Sequence, residues 1–178
     1  MKTPSRLMPK YEPTGKWPPF VGWLLAGLLL LLLLWGIWEK PFILILIGVI
    51  ATWSILDIKR RNSKLKKLSE ERSELSICEF ARSFDRKVID TWVIRAVYEQ
   101  IQEYVATSDY VLPIKADDDL EKTIEIDDED LDMDILVEIL QRTGRSMKDT
   151  ESNPFFGKVK TVSDLVYFVN EQPIVTNT

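Results

Sequence analysis

Carboxylates crowd residues 127–138: Asp127, Asp128, Glu129, Asp130, Asp132, Asp134 and Glu138. A calcium loop of the EF-hand type would need oxygen ligands at its third and fifth positions and a glycine at its sixth. Here those positions hold Glu129, Leu131 and Asp132, so one ligand is apolar and the glycine is absent. Acid–base catalysis would need two carboxyls held in different environments, whereas acids packed along an exposed helix form a solvated face. The chain has no histidine, which removes the commonest general base and a common transition-metal ligand. Cys78 has neither a second thiol nor a histidine to form a redox or nucleophilic pair. Glycine-rich phosphate loops are missing as well. These residues imply a protein without catalytic groups, metal ligands or a bound cofactor.

The elements that must position the acids are helical. Residues 114–138 contain twelve carboxylates and two lysines, among them Asp117, Asp118 and Asp119. Such density would suit a solvated tail, but Leu120, Ile124 and Ile126 run through it. Beyond them Leu131, Ile135, Leu136, Ile139 and Leu140 share one helix face. Gly144 is a suitable left-handed stop, and Asp128 or Asp130 is expected to cap the start. Upstream, residues 84–105 read as the principal helix, with Asp85 in its first turn and Phe84, Val88, Trp92, Val93, Val97 and Ile101 on its apolar face. Val111, Leu112 and Ile114 form an apolar loop expected to dip into the core. Residues 147–160 read as loop, with Phe155 and Phe156 plugging the bottom of the core. Thr161 with Asp164 three residues on forms a variant capping box, opening a last helix through Val162, Leu165, Phe168 and Val169 that Pro173 ends.

The first part of the chain is apolar. Residues 20–38 carry no charge and nine leucines, and as a helix they span about 28 Å, close to the thickness of a bilayer core. Residues 42–56 form a second uncharged run after the short turn Glu39-Lys40-Pro41; a buried or re-entrant helix is the alternative to a second span. Trp17, Trp23, Trp35, Trp38 and Trp53 lie at or near the segment ends, as interfacial anchors do. The first run is longer than a signal-peptide core and lacks a small-x-small cleavage site, so it is expected to remain in the mature protein.

Charge gives the orientation. Lys2, Arg6, Lys10 and Lys16 precede the first span, and Lys59, Arg60, Arg61, Lys64, Lys66 and Lys67 follow the second, whereas the turn holds only Lys40 beside Glu39. Both termini are thus expected in the cytoplasm of a bacterial inner membrane. Residues 1–67 carry eleven bases and three acids, net +8, and residues 68–178 carry twelve bases and twenty-five acids, net −13. The basic part can meet anionic membrane lipids; the acidic part excludes nucleic acid as a partner. Residues 57–80 read as a helical stalk with a stripe of Ile58, Leu65, Leu68, Leu75 and Cys78, packing on the domain or pairing with a second copy. Repulsion between Glu70 and Glu74 should bend or fray it. The expected organisation is a cytoplasmic segment (1–19), two transmembrane helices (20–58), a stalk (59–83), an acidic helical domain (84–173) and a tail (174–178).

Helix, long loop, acidic-entry helix, short turn and a closing helix opened by Thr161-Val162 is an order that resembles the acyl carrier protein family over residues 84–173. In that family an Asp-Ser-Leu triplet opens the second helix, and the serine carries phosphopantetheine. The matching triplet here is Glu129-Asp130-Leu131, and Asp130 cannot form that phosphodiester. Joined to the apolar runs, the resemblance gives the expectation of an all-α protein: a transmembrane hairpin followed by a three- to four-helix carrier-like bundle without the cargo. Acids around the family's second helix dock basic partner surfaces, which nominates Asp127, Glu129, Asp130, Asp132 and Asp134, with Asp117, Asp118 and Asp119 nearby. Asp130 has the competing role of a helix cap. The expected function is a non-catalytic, membrane-anchored interaction protein binding a basic cytoplasmic protein, in a sharper version an immunity protein against a basic toxin. The alternatives are a membrane-tethered acyl carrier, or a structural subunit forming a homo-oligomer or larger membrane complex. No glycine pair spaced four apart supports the last.

Overall fold

The computed structural model describes residues 4–12 and 20–175. Lys2, Lys16, Trp17 and the end of the tail lie outside the described residues. Within them the chain is all-α, with seven α-helices and no strand. It divides into two compact units: residues 12–63, and the N-terminal residues through Tyr11 together with everything from Lys64 onward.

In the first unit α1 (Phe20–Glu39) and the start of α2 (Phe42–Glu71) are joined by a turn at Lys40 and Pro41. Leu44 N donates to Pro41 O (3.1 Å), so proline sits where its missing N–H costs nothing. Both helices are long and apolar enough to cross a membrane, with mean hydropathies of 2.5 and 2.1 over their most apolar stretches. Trp23, Trp35, Trp38 and Trp53 are all exposed. α2 does not stop where the uncharged run ends: it continues as one helix to Glu71. It ends beside the Glu70 and Glu74 pair, and the chain turns before α3 (Ile77–Arg82), where Ser76 N donates to Glu79 Oε2 (3.2 Å).

The second unit is built around α4 (Thr91–Val105), which packs against α3, α6 (Leu136–Thr143) and α7 (Val162–Glu171). Val93, Ala96, Val97 and Ile101 are wholly buried, as the helical spacing of apolar residues requires. The helix begins later than the sequence pattern suggests. Asp85 takes the N–H of Lys87 (2.9 Å) in a tight turn, and Asp90 is the cap, accepting from Trp92 N (2.9 Å). Phe84 and Ile89 still reach the core from that turn, but Val88 is left exposed and Trp92 half-buried. A short side-chain oxygen bonding its own downstream N–H competes with helix, and here it wins at Asp85.

Leu65 is 1% exposed, and Phe80, from the far end of the segment read as a stalk, is buried against Phe84 and Tyr98. Of the two expectations for that segment, this is packing on the domain, but of the stripe only Leu65 is fully buried, Leu68 and Leu75 are half-buried, and Ile58 and Cys78 are exposed. Its polar residues hold the apolar and the acidic loop as well. Ser69 Oγ donates to Val111 O (2.7 Å), and Lys64 Nζ meets Glu125 Oε1 (2.5 Å) and Lys122 O (2.8 Å). Leu112 and Ile114 are buried as expected of an apolar loop that dips inward, but Val111 points outward and is exposed.

The N-terminal residues join the same unit. A 3-10 turn, Ser5–Leu7, packs on α4, Met8 is buried, and Arg142 Nε donates to Pro9 O (3.3 Å). At the other end α7 opens on its capping box: Asp164 N donates to Thr161 Oγ1 (3.2 Å) and Thr161 N to Asp164 Oδ2 (2.9 Å). Backbone bonds from Leu120 N to Lys160 O (2.9 Å) and from Val162 N to Asp118 O (3.0 Å) tie the acidic loop to that entrance.

Candidate functional site

The acidic helix enters one turn earlier than its apolar pattern. It starts as α5 (Asp128–Asp130), widens into a π-helical turn (Leu131–Ile135) and continues as α6 to Thr143. Leu131, Ile135, Leu136, Ile139 and Leu140 are buried on its inner face. Gly144 stops it in the left-handed conformation (φ 65°), where a side chain would be strained.

Neither Asp128 nor Asp130 is the cap. Asp127 is extended, and its Oδ1 accepts from Asp130 N (2.8 Å). Asp130 lies inside the first turn, where its charge faces the positive end of the helix. Asp127→Ala should therefore cost the second unit about 1 kcal/mol, the usual worth of a lost cap. Asp130→Ala should change stability by less than about 0.5 kcal/mol. Native-state hydrogen exchange of the α4 and α6 amides would separate the two.

The acids divide into an exposed set and an internal one. Asp127, Asp128, Glu129, Asp132 and Asp134 are exposed and Asp130 half-buried, and among the described residues none of the six forms an ion pair. Asp117 is exposed too. Asp119 is half-buried and receives the N–H of Lys122 (2.8 Å), which holds its carboxyl below the usual range. Asp118 is not part of the outward surface. It is 3% exposed and takes both guanidinium nitrogens of Arg72, each at 2.7 Å, with Lys115 N at 2.8 Å on the same carboxylate.

Behind the exposed acids a buried polar belt joins α6 to α4. Arg142 is almost wholly buried and pairs with Glu99 and with Gln100 Oε1 (3.2 Å). Burial pushes the Glu99 carboxyl up, but Arg142 and Arg95 outweigh it and hold the group below its ordinary range. Glu138 goes the other way. Burial first, then the charges of Glu103 and Asp134, raise its carboxyl above the ordinary value, against the donor from Gln100. No local pattern announces this belt, because its partners lie 38 to 43 residues apart.

The acidic entrance also borders a groove of roughly 340 Å³. Leu131 and Leu136 of the helix line it together with Met147, Phe156 and Val159, with Leu165 and Phe168 of α7, and with Asp128 and Asp132. The sequence pattern places both Phe155 and Phe156 in the core. Phe155 does pack there, stacked on Tyr167 at 5.6 Å between ring centres, but Phe156 is half exposed at the groove. Gly157 turns the chain there with φ 65°.

Among the described residues no group of three or more acids, cysteines or histidines could hold a metal ion. Cys78 is exposed. No protein-family model, curated protein or solved structure matches the chain.

Proposed function

We propose that this is a non-catalytic, membrane-anchored interaction protein whose acidic cytoplasmic domain docks a basic protein surface. The observation that carries the proposal is the helix entrance formed by Asp127, Asp128, Glu129, Asp130, Asp132 and Asp134, whose carboxylates have no ion-pair partner among the described residues. Uncompensated charge on a rigid element attracts and orients an opposite surface. Asp118 belongs instead to the fold. The carrier-like reading rests on the resemblance in the sequence alone, in which Asp130 takes the place of the attachment serine.

α1 and the apolar part of α2 serve as the anchor, as a two-span hairpin with both flanks in the cytoplasm of a bacterial inner membrane. The described residues through Tyr11, ahead of α1, belong to one compact unit with those from Lys64 onward. That supports an even number of crossings, since the two flanks must then lie on one side. The basic residues following the hairpin suit anionic lipid, and a dedicated partner such as a basic toxin would fit the acidic domain.

The test is capture of partners on the full chain in mild detergent at low salt. Charge reversal by Asp130→Lys, Asp132→Lys and Asp134→Lys together should reduce recovery at least about tenfold; unchanged recovery ends the proposal. The same preparation addresses the tethered-carrier alternative. Intact mass should not rise on exposure to a phosphopantetheinyl transferase, and a rise by one such group would establish a carrier.

A further inference from the structure

Resting on that docking function, we propose that the groove beside the acidic entrance seats one apolar side chain of the partner, carried on a short segment flanked by lysine or arginine. The groove has the two kinds of surface such a segment would need. Most of its lining side chains are apolar, and Met147 and Phe156 among them remain 46% and 52% exposed. Two large apolar side chains left to water at one hollow are surface that a partner can cover. Asp128 and Asp132 line the same groove, and no lysine or arginine does. Glu129 and Asp134, on the same helix, extend the negative field beyond it.

The charge selects among occupants. A fatty acid would bring its carboxylate to Asp128 and Asp132 and be repelled. A purely polar basic segment would gain the charge but leave the apolar lining wet. A basic segment with an apolar anchor satisfies both, and at roughly 340 Å³ the groove has the size of an ordinary ligand site.

The experiment uses the full chain in phosphatidylcholine nanodiscs, with empty discs subtracted, and two labelled peptides of equal charge, Lys-Lys-Leu-Phe-Lys-Lys and Lys-Lys-Ser-Ser-Lys-Lys. Anisotropy titrations should give about tenfold tighter binding for the Leu-Phe peptide, the effect of burying one apolar side chain. Thr150→Phe and, independently, Thr150→Trp narrow the groove from its loop side. Each should abolish the preference while leaving the Ser-Ser peptide unchanged, with hydrogen exchange confirming that the variant is folded. Asp128→Asn with Asp132→Asn should weaken both peptides. Equal affinity for the two peptides, or a preference that survives both narrowing variants, overturns the groove assignment. If the acidic variant still weakens both peptides in that case, the docking function stands without the groove. Absence of binding by both peptides also overturns the groove assignment, and the charge-reversal capture then decides the docking function separately.

Discussion

Asp118→Ala is expected to destabilise the unit built around α4 by about 3–5 kcal/mol, the usual cost of leaving one member of a buried ion pair without its partner. Arg72 and Asp118 are 10% and 3% exposed at their side chains and meet through two parallel bonds of 2.7 Å. Removing the carboxylate strands the guanidinium. It also removes the acceptor for Lys115 N and so loosens the turn that leads the loop from Ile114 to Leu120. A domain of this size has a total stability of only about 5–15 kcal/mol, so such a loss would be visible as a general rise in amide exchange of the full chain in detergent. Arg72→Met combined with Asp118→Leu should recover most of the loss, because the charge and its desolvation leave together. A single variant as stable as the parent would show that the pair does not hold the loop.

Leu65→Ala should cost about 2–5 kcal/mol in the same unit, as truncation of a buried leucine leaves both lost contacts and a cavity. The side chain is 1% exposed even though it sits among Lys64, Lys66 and Lys67. Cys78→Ala is the control on an exposed position of the same segment, and it should change stability by less than about 0.5 kcal/mol. Hydrogen exchange at the α4 amides reads both. An effect of Leu65→Ala no larger than that of the control would mean that the end of α2 is a tether and not part of the core.

These two positions also show where sequence reasoning stops. Leu65 was recognisable as one point of a narrow apolar stripe, but a stripe does not say what covers it. Asp118 stood among three consecutive acids of the same type, and nothing local distinguishes it from Asp117 or Asp119. Its partner lies 46 residues away. The start of α4 was displaced for a different reason. Asp85 and Asp90 can both open a helix, and the choice falls on Asp90, whose backbone N–H also donates to Asn170 Oδ1 (3.0 Å) at the end of α7. Likewise Asp127 caps the acidic helix where Asp128 and Asp130 were equally suitable by type.

The sequence by itself determined the features governed by near neighbours. The all-α class follows from apolar residues at helical spacing, the stop at Gly144 from a backbone conformation that glycine tolerates, and the α7 entrance from the three-residue reach between Thr161 and Asp164. The length and apolarity of α1 and of the first part of α2 were equally plain, as was the absence of a serine at the acidic entrance. Tertiary structure alone decided which acid is buried and which are offered to solvent. It also brought Met147 and Phe156 together with Leu131 and Leu136, making a groove out of residues that are only loop and helix in the chain. Burial, pairing and cavities arise between segments far apart in sequence, and their free energy exists only once those segments are packed together.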